Sequence, residues 1–281
     1  MEKMNSNNLF LECKDHTVSN EIFQLHYQPE TDMLITQPQP NDLNRYYQSE
    51  NYISHTDSNR TILEKLYQAV KTINLKSKTN LIKRYSNHGK NLLDVGSGTG
   101  DFLIAAKNKG WNTIGVEPNE KARSKAREKG VEVLSDLDLI TDKKFDTITL
   151  WHVLEHLPNL EEQIQTLTSL LRENGTLIIA VPNYKSYDAN HYKKFWAAYD
   201  VPRHLWHFSR KSISVLFSKH HYKVIKTKPM FFDAFYVSLL SEKYKFKKQN
   251  FIKAIFIGML SNINGWKTKE YSSHIYVLKK A

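Results

Sequence analysis

Three glycines within five residues, Gly96, Gly98 and Gly100, constrain this chain more than any other feature. Only ten glycines occur in 281 residues, and eight of them fall between Gly89 and Gly175. The cluster lies in LLDVGSGTGDF (92–102): an apolar run, a sharp turn, then the start of a helical pattern. Glycine has no Cβ, so it permits tight turns and lets a ligand approach main-chain N–H groups. The spacing G-x-G-x-G differs from the dinucleotide fingerprint G-x-G-x-x-G. An acid, Asp94, stands two residues before the first glycine, and an acid there suits a cationic group better than a pyrophosphate. A second acid, Glu117, closes the next apolar run. That is the position from which ribose hydroxyls are gripped in a doubly wound sheet.

Around the turn, short apolar runs alternate with helical patterns. NLLDVGS (91–97), NTIGVEP (112–118), VEVLSDL (131–137), FDTITLWHV (145–153) and GTLIIAVPN (175–183) read as buried strands. Helices are predicted over 102–109, over 119–130 with Asn119 as N-cap, and over 160–172. Ser209 opens another helix, to about residue 220, and YKVIKTKP (222–229) and SHIYVLKK (273–280) bring the strands to seven. The alternation implies an α/β fold, a doubly wound and mostly parallel seven-stranded sheet with helices on both faces.

The rest is expected to be appended to that sheet. Residues 1–56 form a small N-terminal module and linker, with a hairpin in 9–36 and a Pro-bearing joint at 37–42. The main domain covers 57–281, entered through helix in 57–86, and carries two insertions. Residues 184–208 are crowded with aromatics and histidines and are expected to form a lid. Residues 231–271 hold two apolar, basic helices.

Charge and cysteine content narrow the classes. Of a net charge of +11, +7 lies in residues 241–281, with nine Lys and two Glu. Such a segment meets phosphate, an anionic membrane or an acidic partner, or is simply solvated. The single cysteine, Cys13, excludes an internal disulfide framework and a multi-cysteine zinc site. No 18-residue apolar run and no signal-peptide core are present, so a cytoplasmic address is expected.

The set LLDVGSGTGDF, GVEPN, FDTITLWHVLEHL and GTLIIAVPN, in that order over about 90–230, resembles the class I S-adenosylmethionine-dependent methyltransferases, a Rossmann-like family. Within it, the small-molecule branch that includes ubiquinone-biosynthesis O-methyltransferases is the most similar. The resemblance implies S-adenosylmethionine as cofactor. It implies that Asp94 holds the methionine amino group and that Gly96, Gly98 and Gly100 pass beneath the methionine and ribose. Glu117 would take both ribose hydroxyls, Asp136 the adenine amino group, Leu137 the adenine ring, and Trp151 the cofactor or the methyl-transfer site.

The transfer side is read from histidines. His152, Glu155 and His156 form H-x-x-E-H, also a zinc-peptidase pattern, but here it straddles a strand end. Related O-methyltransferases carry Glu-x-x-Glu-His at this place, associated with a divalent metal; His152 in the first position departs from that, and no metal is predicted. Glu155 and His156 otherwise brace and cap the following helix, or His156 serves as base or substrate contact. In the lid, His204 and His207 are candidate proton acceptors and Arg203 a candidate grip on a substrate carboxylate or phosphate. Tyr46, Tyr47, Tyr52, His55 and Thr56 form a second aromatic and polar group before the core.

The expected acceptor is a small molecule, methylated on oxygen. No Asn/Asp-Pro-Pro-aromatic run follows the fourth strand, and Cys13 lies far from the strand ends, which disfavours nucleic acid. An RNA or protein methyltransferase and a non-catalytic cofactor-binding scaffold are the alternatives. For 231–271 a solvated face stands beside peripheral membrane or anionic-surface contact, nucleic-acid contact and a partner protein, and the sequence sets no oligomeric state.

Overall fold

A computed structural model of the chain describes residues 8–47, 62–86 and 89–281. It opens with a meander, β1 (Leu9–Lys14), β2 (Ile22–Gln28) and β3 (Met33–Gln37), each pair antiparallel. Helix α1 (Ile62–Tyr85) then leads into the main domain. The glycine turn joins β4 (Asn91–Val95) to α2 (Asp101–Lys107). Next come β5 (Asn112–Val116), α3 (Glu120–Glu128), β6 (Glu132–Leu134), β7 (Phe145–Trp151), α4 (Leu160–Leu170) and β8 (Leu171–Pro182). The chain continues through α5 (Tyr187–Tyr192), β9 (Trp206–His207), α6 (Arg210–Ser218) and β10 (Tyr222–Pro229). It ends with α7 (Asp233–Phe246), α8 (Phe251–Thr268) and β11 (Ser273–Lys280).

The seven-stranded sheet has the order β10-β11-β8-β7-β4-β5-β6. Strands β4 to β8 pair in parallel, and only β11 runs against its neighbours β8 and β10. The continuous apolar runs follow from burial on both faces. Leu93, Ile148, Leu177 and Ile179 point into one core, while Leu92, Ile178, Ala180 and Val277 pack with Leu81 and Ile82 of α1 and Phe102 of α2. The predicted caps hold: Asn119 accepts from Ala122 N, and Ser209 and Ser212 form a reciprocal capping box.

Boundaries differ in informative ways. β6 is only three residues, because Asp136 turns the chain into a 3-10 turn. β8 starts at Leu171, directly after α4, and residues 172–175 bulge opposite the single residue Asp146. The N-terminal strands gain a fourth partner from the 184–208 insertion: β9 pairs antiparallel with β3, Leu34 opposite His207. Phe23, Leu25 and Leu34 share a core with Tyr184, Tyr192, Trp196 and Tyr199. The insertion expected as a lid is thus the other half of the N-terminal lobe, and its aromatics fill that core.

Candidate active site

The glycine turn is shaped for a ligand at its apex. Gly96 has φ +69°, and its N–H donates to Val116 O at 2.7 Å. A Cβ there would lie 2.3 Å from Val153 Cγ2, so the backbone passes too close for any side chain. Gly98, at φ +53°, would meet nothing within 4 Å: the turn faces open space.

Acids stand at the carboxyl ends of the adjacent strands. Asp94 in β4 is buried, and Thr149 Oγ1 from β7 donates to its Oδ1 at 2.6 Å. Burial pushes the Asp94 carboxyl up to about 7, with Thr149 and the Lys78 ammonium only partly opposing the shift. Glu117, just beyond β5, accepts from Gly98 N and Asn119 N, both at 2.9 Å. Two main-chain donors thereby fix its carboxylate against the turn. Asp136, beyond β6, is exposed and accepts from Asp138 N at 3.0 Å, capping the turn that presents Leu137.

Trp151 closes β7. Its ring meets Phe102 edge-on at 5.5 Å, and its buried Nε1 has no partner. Lys78 of α1 places its Nζ 4.3 Å from the Trp151 ring centroid. Burial lowers the Lys78 pKa, with Asp94 and Asp233 opposing. Lys78, Thr149 and Asp233 are members of this site that sequence reasoning missed. The signal for Asp233 was an acid inside the apolar run FFDAFYV; Lys78 and Thr149 gave none.

The H-x-x-E-H segment leaves the sheet sharply. His152 has φ +58°, which ends β7 at Trp151. Its Nε2 lies 3.0 Å from Asp233 Oδ2 and its Nδ1 3.4 Å from Glu155 Oε1. Burial disfavours a charge on His152, but the two carboxylates outweigh it and raise the pKa to about 10. Glu155 and His156 sit in a 3-10 turn, and α4 starts only at Leu160. They do not cap that helix, which corrects the bracing role expected for them.

Instead they meet the N-terminal lobe. Leu205 N donates to Glu155 O at 2.8 Å, and Trp206 Nε1 to Leu157 O at 2.8 Å, which brings His204 beside His156 with ring centroids 4.5 Å apart. Tyr47 OH lies 3.0 Å from His156 Nδ1. Tyr52, His55 and Thr56 fall outside the described residues. Burial, aided by the nearby His156 charge, holds His204 well below the ordinary histidine range. His207 is pushed down to about 3 by burial, and its Nε2 bonds Thr36 Oγ1 at 2.9 Å inside the lobe.

Arg203 takes a place other than the expected one. Its guanidinium is 1 % exposed and donates to Asp200, to Asp15 Oδ1 at 3.1 Å and to Tyr46 O at 3.1 Å. Its charge joins the 184–208 segment to Asp15, just after β1, and to the segment after β3, and does not face a substrate anion.

Although no metal was predicted, Glu155, His156 and His204 offer ligand atoms within 4.8 Å of one another. Glu155 is 1 % exposed; its Oε1 faces His152 Nδ1 at 3.4 Å and its Oε2 has no hydrogen-bond donor. The Nδ1 atoms of His156 and His204 contact the backbone oxygens of Arg203 (3.1 Å) and Ala198 (2.9 Å). Carbonyl-anchored Nδ1–H groups leave Nε2 as the lone-pair donor, the arrangement common to metal-binding imidazoles. This donor set fits a divalent cation. His152, the departure from the O-methyltransferase pattern, is outside it and paired with Asp233.

A family model described as a methyltransferase domain matches residues 63–227. A ubiquinone biosynthesis O-methyltransferase of Actinobacillus pleuropneumoniae is 34% identical over 109 residues, covering 34% of this chain and 47% of that protein. An uncharacterized methyltransferase of Alkaliphilus oremlandii is also 34% identical, over 101 residues, covering 34% of this chain and 46% of its own length. The chain thus spans about half the length of these curated relatives. Magnesium protoporphyrin IX methyltransferase from Synechocystis PCC 6803 superimposes with a TM-score of 0.56 at 17% identity, covering 84% of this chain and 97% of that one. Coclaurine N-methyltransferase gives 0.51 at 16%, covering 80% and 76%. At such identities these two establish the fold alone. The family match spans more than half of the chain, and the glycine turn with its row of strand-end acids lies inside it: the chain belongs to the methyltransferase-domain family.

Proposed function

We propose that this protein transfers a methyl group from S-adenosylmethionine to an oxygen of a small-molecule acceptor. The observation that carries the reading is the pairing of a buried carboxylate, Asp94, with an open-faced glycine turn whose apex is clamped by Glu117. When bound, S-adenosylmethionine supplies a methyl group already activated on a sulfonium. Asp94 receives the ligand's ammonium, which favours its ionised form. Glu117 keeps lone pairs for two ribose hydroxyls while its backbone bonds hold it still. Leu137 offers an apolar surface to the base, with Asp136 beside it. Trp151 and Phe102 wall the methionine side and exclude water.

On the acceptor side His156 takes the hydroxyl proton. His204 and His207 are weak bases, being held neutral by burial. Tyr47 and Arg203 O orient the His156 ring. The names of the O-methyltransferase relatives support oxygen as the acceptor atom.

Calorimetry with S-adenosylmethionine, S-adenosylhomocysteine and NAD tests the class. Micromolar binding of the first two, lost in Asp94→Ala and Glu117→Ala, is expected. Preference for NAD would return the chain to an unassigned doubly wound fold.

A second reading adds a divalent cation on Glu155, His156 and His204, favoured by the buried Glu155 Oε2, which has no hydrogen-bond donor. A bound cation would acidify an acceptor hydroxyl. Zn²⁺ or Mn²⁺ should then raise the melting temperature of the wild type and not of Glu155→Gln.

A further inference from the structure

Helix α8 is built inside out. Its buried face is mostly small: Ala254, Gly258, Ser261 and Gly265, with Ile257. A Cβ on Gly258 would come within 2.6 Å of the Phe235 ring on α7, and one on Gly265 within 2.6 Å of Tyr271, so the helix seats close against its neighbours. Its large apolar residues point the other way. Ile252, Ile255, Phe256, Met259, Ile263 and Trp266 are 46–84% exposed. At 3.6 residues per turn these six lie within an arc of about 100°. A helix on a water-facing surface carries that stripe toward the core.

We infer that this stripe docks in the plane of an anionic lipid bilayer. Charge selects this occupant. Residues 243–269 contain seven lysines and no aspartate or glutamate, and all of these lysines but the half-buried Lys253 are exposed. An apolar stripe bordered by lysines, with Trp and Phe among its large side chains, matches the boundary between acyl chains and anionic headgroups. A two-fold contact between copies of this chain would instead bring like charges together. Among the described residues no helix is long and apolar enough to cross a membrane. The inner face of α8 is already occupied by protein, so the helix lies along the surface.

The stripe continues toward the candidate active site. Asn262 Nδ2 donates to Phe231 O at 3.0 Å, and Phe231, Phe232 and Tyr236 are exposed around the start of α7. Asp233, among them, binds His152 at the end of β7. Docking therefore brings the end of β7, through His152 and Asp233, near the headgroup layer. The docking itself does not depend on which acceptor is methylated.

The test is co-sedimentation of the full chain with phosphatidylcholine vesicles, with and without phosphatidylglycerol, at low and physiological salt. Binding at least about tenfold tighter to the anionic vesicles is expected, weakening with salt. Trp266 fluorescence should shift to the blue on binding, a shift absent in Trp266→Phe. Ile255→Glu with Phe256→Glu should abolish binding. Lys245→Glu with Lys247→Glu and Lys248→Glu should weaken it on the order of a hundredfold. All variants alter exposed side chains and should keep wild-type affinity for S-adenosylhomocysteine, which controls for folding. Absence of vesicle binding, equal binding to neutral vesicles, or a dimer dissociated by Phe256→Glu would each overturn the inference.

Discussion

His152 Nε2 lies 3.0 Å from Asp233 Oδ2, which ties the end of β7 to the first turn of α7. One imidazole thus couples the end of a cofactor-side strand to the segment that carries the exposed apolar stripe. It also explains a departure from the related Glu-x-x-Glu-His pattern, because a histidine at this place needs the acid that the 231–271 insertion provides.

That pair has a pH signature. The pKa of His152 is raised to about 10, so its contribution to stability is complete below about 6.5 and is lost as pH rises through about 10. Asp233→Asn should lower stability at pH 7–8 by about 1–2 kcal/mol, after allowance for screening of the partly exposed ring. It should also remove the alkaline decline. Thermal melts between pH 6 and 10.5 would show it, and an alkaline decline unchanged in the variant would count against the pair.

Asp94 shares that pH direction in a lower window, but its charged form destabilises the fold. Its carboxyl is raised to about 7, so without ligand the folded state holds a proton that the unfolded chain releases, and stability falls as pH rises from about 4 to about 7. Asp94→Asn should therefore stabilise the ligand-free protein at pH 7.5, on the order of 1–4 kcal/mol, while weakening S-adenosylmethionine binding on the order of a hundredfold. Melting curves with and without ligand separate the two effects. A ligand-free variant less stable than wild type at every pH would refute the assignment.

Lys78 holds its ammonium over Trp151, where a sulfonium is expected. Two cations brought together in a site of low dielectric repel. Lys78→Met should tighten S-adenosylmethionine more than S-adenosylhomocysteine, changing their affinity ratio on the order of tenfold. Paired calorimetric titrations measure it, and an unchanged ratio would place Lys78 outside the sulfonium's reach.

Arg203 joins two carboxylates inside the lobe, Asp15 and Asp200, both on the guanidinium that is 1 % exposed. Arg203→Met leaves both acids without their partner and should cost about 3–5 kcal/mol. The KM for the acceptor should not change in the fraction that folds. A raised KM at unchanged stability would restore the substrate grip expected from sequence.

The sequence by itself determined the parts whose physics is local. Apolar runs identified the seven strands of the main sheet, most plainly β4, β7 and β8, which lie inside the sheet and are buried on both faces. The glycine spacing located the sharp turn after β4, because φ near +69° at Gly96 and +53° at Gly98 admits little else. Asn119 and Ser209 were legible as caps because each side-chain oxygen accepts a main-chain N–H three residues on. What only the tertiary structure decided depends on residues far apart in the chain. The two-residue β9 exists because β3 offers it an edge, a pairing invisible in a two-residue pattern. Arg203 faces Asp15 across the lobe, His204 reaches Glu155, and Lys78 reaches Trp151 only once the sheet has folded. The composition of 231–271 announced apolar, basic helices. Which face of α8 turns outward was settled by packing, because only its small residues fit against Phe235 and Tyr271.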